Sequence, residues 1–353
     1  MNDAAPTEKV RVGLCGLGSI GKHVGKLLLD HRQGFEIVGA ATKEAGAIGR
    51  PLKDVVGAKR EAGPLVVEHL DDVLAQNPTV VVYSTGSFLR ETADDIVAVA
   101  TAGAHLVSPC EELAFPYNRF PEHARRIDEA ARANGVTILG TGVNPGFIFD
   151  ALLATATGVC WDVSAIRGRR VVDVVGFGEN IHLRLGIGYT REEFERGHRD
   201  GTIAGHVGFP ESIEMVCERL GLDLDGPVEE VFEPLVAETA APTRYGAIEA
   251  GRTEGFIQRA IGTVKGETRV QLELVLHLRP QSAGVEPADT IEIDGLHPVR
   301  LTLKPGMDAI LATSAQLVNS IQVVLNSSPG LKSVKDLPPT AAWLNGLARD
   351  ALR

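Results

Sequence analysis

Apolar residues recur along this chain in two rhythms. From Val10 to Gly21 the sequence reads VRVGLCGLGSIG: an apolar run to Cys15 broken only by Arg11, then glycines, then apolar positions Ile20, Val24, Leu27 and Leu28 at helical spacing. The pattern predicts a buried strand turning into a helix that starts near Ile20. The same alternation predicts strands over Phe35 to Thr42, Val80 to Ser84, His105 to Ser108 and Val136 to Leu139, with helices over Glu91 to Ala102 and Pro121 to Asn134. Strands and helices alternating at this pace predict βαβ units and a doubly wound parallel sheet, closing near Asp150.

From Ala151 the rhythm changes. Ala165 to Val175 and Val270 to Leu278 are longer and alternate apolar with polar, and between them lie the helical stretches TREEFERGH and PESIEMVCERLG, the second bounded by Pro210 and Gly221. A second α+β domain with a mixed sheet is expected. Met307 to Leu325 is a mostly apolar helical pattern stopped by Ser327-Ser328-Pro329-Gly330. So apolar a segment needs cover, and its expected place is back on the first domain.

The glycines give the first domain its chemistry. Gly16-x-Gly18-x-x-Gly21, after a strand and opening a helix, is the Rossmann arrangement: Gly16 turns the chain, Gly18 admits a pyrophosphate, and Gly21 lets helix and strand pack closely. The phosphate then faces the open N–H groups of the helix start, at Ser19 and Ile20. The expected organisation is residues 1–150 for the nucleotide, 151–305 for substrate and dimerisation, and 306–353 as a returning helix and tail. In an NAD site an acidic residue stands about twenty positions after the last glycine. Here that place holds Ala41-Thr42-Lys43. Without a carboxylate there is no repulsion against a 2′-phosphate, Thr42 and Lys43 offer a hydroxyl and a cation, and Arg50 is a second cation within a short loop; NADP is the expected cofactor. The alternative is NAD, with Glu44 taking the ribose role one step further on.

Composition narrows the partners. At 353 residues the chain is too long for one ordinary core, and 44% hydrophobic residues suffice to fill two. A net charge of -11 disfavours nucleic acid and anionic membrane surfaces, so a small substrate is expected. Cys15, Cys110, Cys160 and Cys217 are far apart without a C-x-x-C pair, as in reduced intracellular proteins. The polar start MNDAAPTEK and the lack of a long apolar run predict neither signal peptide nor anchor, and a cytoplasmic location. No H-E-x-x-H, clustered Cys/His or G-x-S-x-G pattern is present, so neither a metal nor a serine nucleophile is expected.

Ligands of open parallel sheets bind beyond the carboxyl ends of the strands. Ser84, Thr85 and Gly86, with Ser87, are small enough for a ribose and nicotinamide to pass, or simply form a tight turn. Asn144, Pro145 and Gly146 make a rigid turn that either holds the nicotinamide or a substrate edge, or only starts a helix. Cys110-Glu111-Glu112 is sharper. No lysine accompanies it, and a carboxylate at this place suits an ammonium or amine: it attracts the cation and exchanges protons. The competing reading is that both glutamates favour a helix start through its dipole. The basic run Arg167-Gly168-Arg169-Arg170 reads as a solvated strand edge rather than a phosphate site.

At these residues the chain resembles the family of 2,4-diaminopentanoate dehydrogenases and native NAD(P)-dependent amine dehydrogenases, which share the dihydrodipicolinate-reductase type of nucleotide-binding domain. The resemblance rests on Gly16 to Gly21, Cys110-Glu111-Glu112-Leu113 with Pro116, Asn144-Pro145-Gly146-Phe147, Gly205 to Ser212 (GHVGFPES), Asn319-Ser320-Ile321, Pro329-Gly330-Leu331 and Asp336-Leu337-Pro338. It implies reductive amination of a small ketone or aldehyde with ammonia, or the reverse, in a homodimer. The family's catalytic glutamate maps onto the Glu111-Glu112 pair, placed at Glu111 with Glu112 in reserve. Phe147, His206 and Phe209 are the expected substrate-pocket residues; His206, with Glu211, either shapes that pocket or is structural, as a lone histidine before a helix more often is. The His-His motif, following Lys and Pro-Ser-Gly-Thr loop of dihydrodipicolinate reductase itself are missing. Two rivals remain: an NADP-linked carbonyl or imine reductase, and a non-catalytic NADP-sensing protein.

Overall fold

Short, continuous apolar runs become parallel strands here because both of their faces are covered. The computed structural model describes residues 9–59, 63–203 and 205–342; the polar start at 1–8 and the end of the tail at 343–353 lie outside the described residues. The chain divides into two units, Met1–Ala151 with Asp308–Arg353, and Leu152–Met307.

In the first unit β1 (Val10–Cys15), β2 (Phe35–Ala41), β3 (Val66–Val67), β4 (Val80–Tyr83), β5 (His105–Ser108) and β6 (Thr137–Gly140) form an all-parallel sheet with Gly330–Lys332. The order is Gly330–Lys332, β6, β5, β4, β1, β2, β3. Connection direction reverses between β1 and β4, which opens a crevice at their carboxyl ends. On one face Val12 and Leu14 pack with Val24 and Leu28 of helix Ser19–His31 and with Leu317 and Ile321 of helix Ala309–Leu325. On the other, Val81 and Tyr83 meet Ile96 of helix Leu89–Thr101 and Ile127 of helix Pro121–Ala133.

Helix Ala309–Leu325 starts two residues after the beginning of its apolar pattern. The Asp308 carboxylate accepts from the N–H groups of Ile310 (2.9 Å) and Leu311 (2.8 Å) and so sets the first turn. Strands Val66–Val67 and Gly330–Lys332 and helices Leu52–Val56 and Leu70–Leu74 were not read from the sequence, being too short to show a period. No helix among the described residues is long and apolar enough to cross a membrane.

The second unit holds a mixed six-stranded sheet in the order Val299–Leu303, Ala288–Asp294, Ala165–Asp173, Glu267–His277, Thr253–Val264, Glu229–Val236. Ala165–Asp173 and Glu267–His277 run parallel, and the other pairings are antiparallel. Helix Phe209–Leu220 packs on this sheet and ends at Gly221, whose φ of +68° is the left-handed stop that glycine provides.

The basic run Arg167-Gly168-Arg169-Arg170 is not the solvated edge its sequence predicts. Its strand is internal to the sheet, so it is not an edge. Arg167 and Arg169 alternate onto the open face and pair with Asp294 (2.6 Å) and Glu273 (2.7 Å), but Arg170 turns to the other side. There it is 4% exposed and bonds Asp289, itself 1% exposed, at 2.8 Å. Both side chains also hold the Met307 backbone, Arg170 through its carbonyl and Asp289 through its N–H.

Candidate active site and nucleotide cleft

The three glycines do three separable things. Gly16 has φ +88°, and a Cβ there would lie 2.4 Å from the Ser84 carbonyl oxygen. A Cβ on Gly21 would meet the Gly16 carbonyl oxygen at 1.9 Å, so strand and helix touch through bare backbone. Gly18 faces open space, with nothing within 4 Å of where its Cβ would stand. Ser84 ties the turn to β4: its hydroxyl donates to Gly16 O at 2.9 Å and its N–H to Cys15 O at 2.7 Å.

A cleft of about 600 Å³ opens beyond Gly16 and Gly18, and Thr42, Lys43, Ser84, Thr85 and Gly86 line it as well. Ser19, Ile20 and Gly21 form the first turn of helix Ser19–His31, which carries no acidic residue there and no side-chain cap. Its N–H groups are thus free for an anion, and the open approach over Gly18 fits a pyrophosphate. Glu44 shares the cleft and is ion-paired with Lys22 at 2.9 Å. Its backbone N–H donates to the Thr42 hydroxyl oxygen at 3.3 Å, which leaves the Thr42 proton free to donate.

Of the expected cofactor residues, Ser19, Ile20, Gly21, Arg50, Asn144 and Pro145 do not line this cleft. The Arg50 guanidinium reaches back to the Gly46 carbonyl (3.5 Å). The loop turns it outward. Conversely, Tyr83, Asp95, Thr92, His69 and Leu70 line the cleft and were missed. A tyrosine closing a strand that ends level with the glycine turn was the available signal. Cys15 lies there too, its thiol pushed up to about 12 by burial, which leaves it inert as a nucleophile.

The two glutamates beyond β5 are in different situations. Glu111–Leu113 is one turn of 3-10 helix, seated against β6 where Gly140 makes room: a Cβ there would lie 2.4 Å from the Leu113 carbonyl carbon. Burial pushes the Glu111 carboxyl up to about 7, with the Glu112 charge adding to it and hydrogen bonds from its own N–H and the Ser87 hydroxyl opposing. Glu112 is buried, and its Oε2 accepts from the Leu89 N–H at 2.7 Å. Burial raises its pKa as well, against that hydrogen bond. Glu112 therefore closes the start of helix Leu89–Thr101. Both glutamates open the 3-10 turn Glu111–Leu113, and Glu112 in addition closes the start of the helix before it in the chain.

The loop after β6 is held by helix Ala309–Leu325. Thr313 accepts from Val143 N–H at 3.1 Å and Gln316 donates to the Thr141 hydroxyl oxygen at 3.4 Å. Within this loop Asn144 keeps a buried Oδ1 with no hydrogen-bond partner among the described residues, Pro145 is buried and Phe147 is half-buried. His206 and Phe209 belong to the second unit, their rings 4.8 Å apart and edge-on. Gln258 clamps the His206 backbone, accepting from its N–H (2.7 Å) and donating to its carbonyl (2.8 Å). Burial, with Arg170 nearby, pushes the imidazole down to about 3, so it is neutral at physiological pH. Among the described residues no group of three His, Cys, Asp or Glu side chains is placed to hold a metal ion.

Residues 147–352 match the 2,4-diaminopentanoate dehydrogenase C-terminal domain family. Over 333 residues the chain is 35% identical to the 2,4-diaminopentanoate dehydrogenase of Acetoanaerobium sticklandii, covering 94% of each. The chain belongs to the 2,4-diaminopentanoate dehydrogenase family. It is also 24% identical to an amine dehydrogenase of Streptomyces virginiae, across 92% of this chain and 94% of that one. The solved structure of an amine dehydrogenase from Mycobacterium smegmatis shares the fold, with a TM-score of 0.82 at 23% identity, covering 96% of this chain and 99% of that one. Membership of this family makes the protein an oxidoreductase acting on amines.

Proposed function

We propose that the chain is an NADP(H)-dependent amine dehydrogenase that joins ammonia to a small ketone or aldehyde, or releases it again from the amine. The observation that carries this reading is Glu111, a carboxyl group raised to about 7 beyond β5, beside a Glu112 already engaged by Leu89. A group poised near neutrality both accepts and returns a proton at working pH. As the anion, Glu111 holds ammonium and takes one of its protons, so that ammonia adds to the carbonyl carbon and a carbinolamine forms. Glu111 then returns that proton to the carbinolamine hydroxyl, which leaves as water and yields an iminium. A nicotinamide dinucleotide held by the glycine turn, Thr42 and Lys43 would supply the hydride for reduction of the iminium, and would accept it in the reverse direction.

For the cofactor, Lys43 and the free hydroxyl proton of Thr42 support NADP, since Lys22 already neutralises Glu44. A second reading, NAD, is favoured by the presence of the Glu44 carboxylate in the same cleft. For the assembly we propose a homodimer through the second unit, supported by a six-strand-wide sheet whose Arg167 and Arg169 face is exposed within the chain; sedimentation showing a fully active monomer at micromolar concentration overturns it. A cytoplasmic location is consistent with four unpaired cysteines.

The deciding experiment follows NADPH absorbance with short ketones, with and without ammonium. Loss only with ammonium supports amination. Loss without it makes the protein a carbonyl reductase, and binding without turnover makes it a sensor.

A further inference from the structure

Resting on the dinucleotide reading of the cleft, we infer that Asp95 reads the base of the cofactor by accepting a hydrogen bond from the exocyclic amine of adenine. From the glycine turn the cleft continues past Thr42 and Lys43, where the adenosine ribose lies in this fold. Its remaining wall includes two segments: Glu68, His69 and Leu70, and Glu91, Thr92 and Asp95 of helix Leu89–Thr101. The base sits against this wall, next to the ribose position at Thr42 and Lys43.

Tyr83 fixes what Asp95 offers there. It is the last residue of β4, pairs in register with Cys15 and is 1% exposed. Its hydroxyl donates to Asp95 Oδ2 at 2.6 Å, and the Thr85 hydroxyl donates to the Tyr83 oxygen in turn. Burial and the Asp95 carboxylate raise the phenol pKa, so Tyr83 stays protonated and remains a donor to Asp95. The chain Thr85, Tyr83, Asp95 therefore has one direction and ends in a carboxylate, which only accepts.

That end is matched to adenine. Tyr83 occupies one lone-pair site, and Asp95 is exposed to the cleft with the others. Adenine presents an amine donor at position 6, where hypoxanthine presents a carbonyl oxygen that a carboxylate repels. Glu91 also lines the cleft, but no tyrosine holds it; it pairs with Arg90 at 3.4 Å on the surface. A held acceptor discriminates because no ordering cost falls on binding.

The test compares binding of NADPH and of its hypoxanthine analogue by nicotinamide fluorescence, without turnover. Wild-type protein is expected to bind NADPH about tenfold more tightly or better, the scale of one hydrogen bond to a charged group. Asp95→Asn, whose amide donates to a carbonyl oxygen, is expected to bring the two affinities within about threefold. Tyr83→Phe is expected to reduce the preference as well, and Glu91→Gln to leave it intact. Equal affinities in the wild type, or an unchanged preference in Asp95→Asn with an unchanged melting temperature, overturns the assignment while leaving the dinucleotide site standing. Failure of either dinucleotide to bind overturns the dinucleotide reading itself.

Discussion

The Leu89 N–H donates to Glu112 Oε2 at 2.7 Å, and this one hydrogen bond separates two glutamates that are neighbours in sequence. It engages Glu112 in closing a helix, whereas Glu111, the proposed acid/base group, is held by the Ser87 hydroxyl and its own N–H. Glu111→Gln is expected to lower turnover by roughly a hundredfold or more, the scale of a lost acid/base group, with NADPH affinity retained. Glu112→Gln is expected to keep turnover within a few-fold and to cost about 1 kcal/mol of stability through the weakened bond to Leu89. Initial rates and thermal melts on both variants decide; the reverse ranking moves the role to Glu112.

Glu111 also predicts how stability changes with pH. Its carboxyl is raised from 4.5 to about 7 by burial, so between these values the native state holds a proton that the unfolded state has released. Stability therefore falls as pH rises through this window, and the penalty is complete above about 7. Glu111→Gln removes it, and is expected to melt higher than wild type at pH 8 by on the order of 1–3 kcal/mol, with the difference gone near pH 4. A variant no more stable at pH 8 than at pH 4, relative to wild type, disproves the raised pKa.

Cofactor choice turns on Lys43. Lys43→Ala is expected to weaken NADPH about tenfold and leave NADH nearly unchanged, the loss of one charge-assisted contact to a phosphate. Arg50→Ala is expected to alter neither, since its guanidinium reaches Gly46 instead. Should Glu44→Gln weaken NADH while Lys43→Ala spares NADPH, the protein uses NAD.

The glycine turn separates folding from binding. Gly18→Ala meets open space and is expected to leave the melting temperature unchanged while loosening dinucleotide binding at least tenfold, because its methyl enters the pyrophosphate approach. Gly21→Ala places a methyl 1.9 Å from the Gly16 carbonyl oxygen and is expected to lower both stability and binding. Calorimetric binding and melting on the pair check this; equal effects at both positions refute it.

Much of the fold was legible because it depends on neighbours along the chain. β1 and β5 occupy the residues their apolar runs mark, and Gly221 stops its helix, since burial on both faces and left-handed turns leave local signatures. Short elements such as Val66–Val67 carry too few residues for a period, and the place of Arg170 on the covered side of a central strand depends on its partner Asp289, far along the chain. At the site, the sequence by itself determined the glycine turn and the lysine-free glutamate pair. Which glutamate caps a helix, where Arg50 points, and that Tyr83 holds Asp95 in the cleft were decided only by tertiary structure. The reason is physical: periodicity reports which face of an element is covered, whereas a hydrogen bond between loops at the ends of different strands depends on how those strands order and register in the sheet.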